Sequence, residues 1–397
     1  MGFASGVRLF TVTPDPEWIA ALGTAIPASL RMAWDIRLSS AWRNRVVLSG
    51  VTSDCEDHSA TLILCAHNDL DALQNIWHMW RSQQFPDSWT VQWVVVNDGS
   101  TDGTRDWLDS KVAAGDPHLT VVHHNKVRPG KKDALALGIK AARHDRLVLT
   151  DADCLPGTQW AFDMAKKLGA KGESPQVLLG FSLPEKGSAL MAFDALRVAW
   201  QYGSQAAKGR AYMGVGRNLA YRGSDWLKIG GFGDHEDLAG GDDDLFVQSA
   251  VSRGLHCVPV ASKSREKSCP TRPAASLNDA IQRKRRHIST APRYGNRSRL
   301  VLAADAALDP LVVSMAAIGC SGLLHIGGWI PVLSAGLAMT VRSATLSMFA
   351  RDLSLPRSAG TRAIWLGPLR WGILFGATLS NFTTSPKWTQ RAPTKRS

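Results

Sequence analysis

"RLVLTDADCLPG" (146–157) runs an apolar stretch straight into two carboxylates. Leu147, Val148 and Leu149 show no polar alternation, the pattern of a strand covered on both faces. Asp151 and Asp153 follow, one residue apart. Three similar runs precede it: "TLILCA" (61–66), "VQWVVV" (91–96) and "LTVVHH" (119–124). Helical patterns fill the gaps at 69–82, at 102–114 with Asp102 as cap, and at 131–143. Short strands alternating with helices predict right-handed βαβ units, hence an α/β, Rossmann-like, mainly parallel sheet. Ligands bind such sheets beyond the carboxyl ends of the strands. His67, Asn68 and Asp69 follow the first strand there, Asn97, Asp98 and Gly99 the second, and Asp151 and Asp153 the fourth.

Length and charge frame the rest. The 397 residues allow a large domain plus an appendage. A formal charge of +12 points to an anionic partner: a nucleotide, a nucleic acid or a membrane face. Nucleic acid is not expected, because the basic residues are not interleaved with aromatics and the acidic strand ends would repel phosphate without a metal. The six cysteines form no C-x-x-C pair and no zinc spacing with histidine, so a reducing compartment and no disulfide framework are expected. The first residues lack a long apolar core after a basic start, which argues against a cleaved signal peptide.

Both ends differ from the middle. Residues 17–42 scatter Trp18, Ile19, Leu22, Ile26, Leu30, Trp34 and Trp42 among charges. Two readings stay open for them, an interfacial amphipathic helix and a helix packed on the main domain. Residues 311–341 contain no Asp, Glu, Lys or Arg, more than the about 20 apolar residues a bilayer needs. With Gly327, Gly328 and Pro331 inside, the run is one tilted helix or two limbs. Residues 363–382 are apolar except for Arg370. The expected division is a 1–58 extension, a 59–298 catalytic domain, 299–383 membrane-associated helices and a 384–397 disordered basic tail. The arginines between the apolar runs, with that tail, place this side in the cytoplasm by the positive-inside rule.

Two carboxylates one residue apart at a strand end suit one hard divalent cation, the rest of whose shell comes from substrate phosphates. Lys131 and Lys132, at a helix start after Gly130, would favour an anion. "GGDDDLF" (240–246) adds Asp242, Asp243 and Asp244. "QRKRRH" (282–287) brings a run of basic side chains that suits either a diphosphate or acidic lipid headgroups.

"VVVNDGSTDGT", "GKKDALALGIKAAR", "LTDADCLPG" and "GGDDDLF", in that order and followed by "QRKRRH", resemble the family 2 glycosyltransferases of the GT-A fold. "YMGVGRNLAYR" (212–222) looks like a membrane-associated bacterial branch. The resemblance covers roughly residues 60–290. It implies that Asp98 accepts a hydrogen bond from the nucleotide base, with His67 and Asn68 nearby. It implies that Lys131 and Lys132 serve the donor, that Asp153 holds Mg2+ or Mn2+, and that Asp151 binds the ribose, the metal or both. Asp243 matches the general base, with Asp242 in place of the usual Glu and Asp244 as a second candidate. In the basic run, Gln282 with Arg285, or Arg286 with His287, matches the diphosphate clamp; both registers stay open. "GVGRN" (214–218) reads as a loop near the sugar or the acceptor. The activity so implied is metal-dependent, inverting transfer of a sugar from a nucleotide-diphosphate sugar to a hydroxyl acceptor. The acceptor is lipid-linked or a cell-envelope glycan, and the enzyme sits on the cell inner membrane, catalytic domain facing the cytoplasm. A non-catalytic nucleotide-sugar-binding scaffold and a polysaccharide-synthase subunit are the competing readings.

Overall fold

The computed structural model describes residues 16–45, 58–168, 175–185, 187–321, 329–356 and 358–383. The expected tail 384–397, the Gly327-Gly328 pair and parts of the 1–58 extension lie outside these residues. Seven strands form one sheet: β1 (Ser59–Ala66), β2 (Thr90–Asp98), β3 (Leu119–His124), β4 (Arg146–Asp151), β5 (Val177–Leu179), β6 (Leu219–Arg222) and β7 (Cys257–Pro259). Their spatial order is β3-β2-β1-β4-β6-β5-β7. All neighbours are parallel except the two pairings of β6, with β4 and with β5.

Three of the four apolar runs, β1, β2 and β4, are strands buried on both faces, while β3 at the edge of the sheet is half-buried throughout. Leu62, Leu64, Val95 and Val148 point into a core with Leu73, Ile76, Trp80, Trp160 and Met164. Ile63, Val94, Val96, Leu147 and Leu149 point into another with Leu135, Ile139, Phe246 and Val247. The helices occupy Leu70–Arg81, Thr104–Ala113 and Lys132–Lys140. The last stops three residues before the expected end. Gln92, buried in β2, donates from Nε2 to the Ala141 carbonyl (3.0 Å) and accepts the Arg143 N–H at Oε1 (2.6 Å). One side chain thus satisfies a carbonyl and an N–H just past the C-terminal end of the helix, so no further turn is needed. Asp102 accepts the Thr104 N–H at 3.1 Å, and also that of Leu70 at 3.0 Å, joining two helix starts.

A third core joins the chain ends to the sheet domain. Leu38 and Trp42 of helix Ile26–Arg45 meet Phe349 and Leu353, together with Phe181, Leu196 and Trp200. Helix 26–45 therefore packs on the domain along its inner face, while Ile26, Leu30 and Ile36 stay exposed. The run 311–341 is divided between helices Asn296–Cys320 and Trp329–Asp352, both long and apolar enough to cross a membrane by length and composition. Both extend past the uncharged run at their other ends, where Asp305, Asp309 and Arg342 are neutralised. Arg31 contacts Asp35 (2.5 Å) and Asp305 (2.8 Å), Arg342 contacts Asp309 (2.9 Å), and Arg197 pairs with Asp305. Such a layer adds little net stability, but removing one partner strands a buried charge, so it fixes register among four helices. Arg370 is likewise matched, by Asp194 at 2.7 Å.

Trp42 is the keystone of this third core: edge-on to Phe349 (ring centroids 4.7 Å apart) and Phe181 (5.7 Å), with Nε1 donating to Asp352 at 3.0 Å. Trp42→Ala is expected to destabilise the protein by about 3–5 kcal/mol, measured by chemical denaturation. A loss below about 1 kcal/mol would show that the N-terminal helix is not part of the folded unit.

Candidate active site

The carboxyl ends of β1, β2 and β4 form an acidic rim, and two loops complete it. The first carries Gly130-Lys131 and the second Ala239–Asp243. They cross so closely that a Cβ on Gly130 would lie 2.0 Å from the Ala239 carbonyl oxygen, and Gly130 also has a φ of +95°. Glycine alone permits that crossing. It delivers Lys131 to two carboxylates: its Nζ lies 2.9 Å from Asp151 and 3.1 Å from Asp242. Burial opposes the charge on Lys131, but Asp151 and Asp242 outweigh it and hold its pKa well above the usual value.

The three consecutive aspartates have different surroundings. Asp242 faces Lys131. Asp243 Oδ2 accepts the Gly216 N–H at 3.0 Å and its Oδ1 the Asp244 N–H at 2.8 Å. Desolvation, then the like charges of Asp242 and Asp244, push the Asp243 carboxyl up to about 7. Asp244 is buried and turned away: Oδ2 accepts from Thr290 (2.6 Å) and Tyr294, and Oδ1 from the Leu245 N–H (2.7 Å). It anchors the segment after the site instead of facing the rim. Gly216 closes the group from above; a Cβ there would come 2.8 Å from Asp242 and 3.0 Å from Lys131 Nζ.

Asp153 is buried, with Oδ2 3.2 Å from the Thr271 hydroxyl. Asp98 lies at the end of β2, its oxygens engaged by His124 Nδ1 (2.7 Å) and Lys126. His67 Nδ1 is 2.6 Å from the Asp98 carbonyl oxygen, and Asn68, at φ +50°, accepts the Thr101 N–H at 2.6 Å. These three residues shape one wall.

Two further sequence candidates, Lys132 and Arg285, spend their donors on other segments. Lys132 is buried, and its Nζ donates to the carbonyls of His235 and Leu238 (3.1 Å), pinning a loop and not facing the carboxylates. Arg285, on helix Leu277–Thr290, donates to Asn381 (2.9 Å) and to the Ser380 carbonyl (3.1 Å), toward the last helix. Arg286, half-buried on the same helix, lies within electrostatic reach of Asp279. Their neighbour Arg283, missed by the sequence reading, turns to the rim, Nη1 3.9 Å from Asp153. It shares a helix face with Asp279, four residues earlier, whereas Arg285 lies on another; that periodicity was the signal that could have separated them. Arg217 was also missed. It sits in the "GVGRN" loop amid the fields of Asp153, Asp151 and Asp243, with a buried Nε that has no hydrogen-bond partner among the described residues.

Residues 61–177 match the family described as Glycosyl transferase family 2. No curated protein matches the chain. Among solved structures, the mannosyltransferase PcManGT from Pyrobaculum calidifontis, in complex with GDP-Man and Mn2+, matches with a TM-score of 0.55 and 16% identity. That match covers 92% of this chain and 98% of the other. TarS of S. aureus matches with a TM-score of 0.40 and 15% identity, over 83% of this chain and 55% of the other. The matched stretch holds β1 to β4 with Asp98, Lys131, Asp151 and Asp153, and the PcManGT likeness carries the same fold past it. The chain thus carries, over residues 61–177, a domain matching the family 2 glycosyltransferases, set in a fold like that of PcManGT.

Proposed function

We propose that the chain moves a sugar from a nucleotide-diphosphate donor to a hydroxyl acceptor, inverting the anomeric centre, with Asp243 as general base. The observation that carries this is one cluster: Asp243 pushed up to about 7 beside Lys131, which bridges Asp151 and Asp242. A base poised near neutrality takes a hydroxyl proton efficiently. The acceptor oxygen then attacks the anomeric carbon while the bond to the diphosphate breaks and its electrons leave with the phosphate. Lys131, Arg217 and Arg283 supply positive charge where the diphosphate departs. Asp98, His67 and Asn68 would hold the base and ribose end.

Asp151 and Asp153 fit a divalent cation as hard oxygen donors at one strand end. The described residues contain no group of three or more His, Cys, Asp or Glu that could hold a metal, so diphosphate oxygens would complete the shell. Mg2+ or Mn2+ would supply charge stabilisation to the leaving group. The GDP-Man and Mn2+ of PcManGT put a guanosine donor and manganese first among the ligands to try. A lipid-linked acceptor at the cytoplasmic face of the inner membrane suits the exposed apolar helices.

A base works only when deprotonated, so kcat/KM should rise as pH increases through about 7. Asp242→Asn removes a like charge and should move that limb to lower pH. Asp243→Asn should cost about 10²–10⁴ in kcat while leaving diphosphate binding intact. An Asp243→Asn enzyme retaining half its rate would sink the assignment. Calorimetry with guanosine and uridine diphosphates should show binding only with manganese or magnesium, lost in Asp153→Asn. Binding indifferent to metal and to Asp153 would favour the scaffold reading.

A further inference from the structure

Among the described residues, sixteen of the twenty large hydrophobic side chains that stand exposed lie on five helices at the two chain ends. On Pro16–Thr24 and the start of Ile26–Arg45, Trp18, Leu22, Ile26 and Leu30 follow one another at four-residue steps in a single stripe, with Ile19 beside it. Helices Asn296–Cys320 and Trp329–Asp352 run antiparallel. Asp309 meets Arg342, and further out Val312 and Ala316 meet Ala335, Ala338 and Ala28. Small residues let these helix backbones approach closely, as helices in lipid do.

The charged layer sets how far this unit can enter a bilayer. Arg31, Asp35, Asp305, Asp309 and Arg342 tie it to Arg197, whose helix belongs to the sheet domain's core. Beyond the layer, the described part of one limb, Asp309 to Cys320, spans about 17 Å, and that of the other, Arg342 back to Trp329, about 20 Å, at 1.5 Å per residue. A hydrocarbon core is about 30 Å thick, so each limb reaches little further than one leaflet. The inner half of Trp329–Asp352 is unavailable to lipid, because Leu346, Phe349 and Ala350 are fully buried in the domain. Helix Ala363–Thr383 is held flat at two points, by Arg370 on Asp194 and by Arg285 on Ser380 and Asn381. Its outward stripe is Trp371, Phe375 and Leu379, the first two stacked 5.4 Å apart. Arg37, next to exposed Ile36, crowds with Lys208 and Arg210, a positive patch matched to anionic headgroups.

We propose that the N- and C-terminal helices form one monotopic membrane unit, a two-helix hairpin dipping into a single leaflet with flat helices beside it, and that neither long helix crosses the bilayer. This deepens the membrane location proposed above and does not depend on the transfer reaction.

The full-length protein, with Cys55→Ser and a fluorophore on exposed Cys320, would be added to phosphatidylethanolamine–phosphatidylglycerol vesicles. It should float with them, less so at high salt, and lipids brominated along the acyl chain should quench the fluorophore. Iodide trapped in the lumen should not. The pair Leu333→Asp and Leu337→Asp should lower partitioning at least tenfold with diphosphate binding unchanged, which shows the variant folded. Quenching by lumenal iodide would mean a span and overturn the proposal. So would failure to float, flotation without quenching by brominated lipid, or sedimentation showing that a second copy covers this face.

Discussion

Lys131 makes the site possible, because it holds together carboxylates that would otherwise repel. Asp151 ends β4 and Asp242 enters from a loop about ninety residues later in the chain. Without a cation between them, two half-buried negative charges would push the rim apart. The ammonium does what a metal and a positively charged clamp would do during a reaction, but it is built in. Asp243 stands beside this pair, and desolvation with the like charges of Asp242 and Asp244 outweighs Lys131 and the Gly216 N–H, raising its carboxyl to about 7. A glycine crossing, a lysine and three aspartates thus depend on one another, and Gly130 with Gly216 sets the spacing.

The same logic governs the charged layer at the other end of the molecule. Three arginines meet three aspartates among helices 26–45, 189–207, 296–320 and 329–352, so no net charge is buried. Hydrophobic contacts would let such helices slide; matched guanidiniums and carboxylates favour one register. The apolar knob is thereby fixed in orientation relative to the acidic rim.

Much of this was legible in the sequence. Unbroken apolar runs such as Val94–Val96 and Leu147–Leu149 announce doubly covered strands, and each ends on the residues that line the rim. The reach of helix Lys132–Lys140 was not legible, since it is decided by Gln92 from a strand forty residues earlier. Nor was the difference between Asp243 and Asp244, which differ only in whether Thr290 and Tyr294 stand opposite. The basic run was legible in part: the four-residue spacing from Asp279 to Arg283 separates that face from the one of Arg285, but only packing shows that the first faces Asp153 and the second the last helix. Arg370 read as a blemish in an apolar run because its partner, Asp194, lies far away in sequence.

The one reversed strand has a geometric consequence. β6 runs opposite to β4, so its first residue, Leu219, pairs with Leu149 near the rim, and its last, Arg222, pairs with Arg146 at the far edge. The segment entering β6 therefore arrives on the same side as the outgoing ends of its neighbours. Had β6 run parallel, Gly216 and Arg217 would emerge on the opposite edge of the sheet, roughly 13 Å away for a four-residue strand. Reversal turns an inbound connection into a roof over the aspartates, contributing a backbone N–H and a guanidinium that no outbound loop provides.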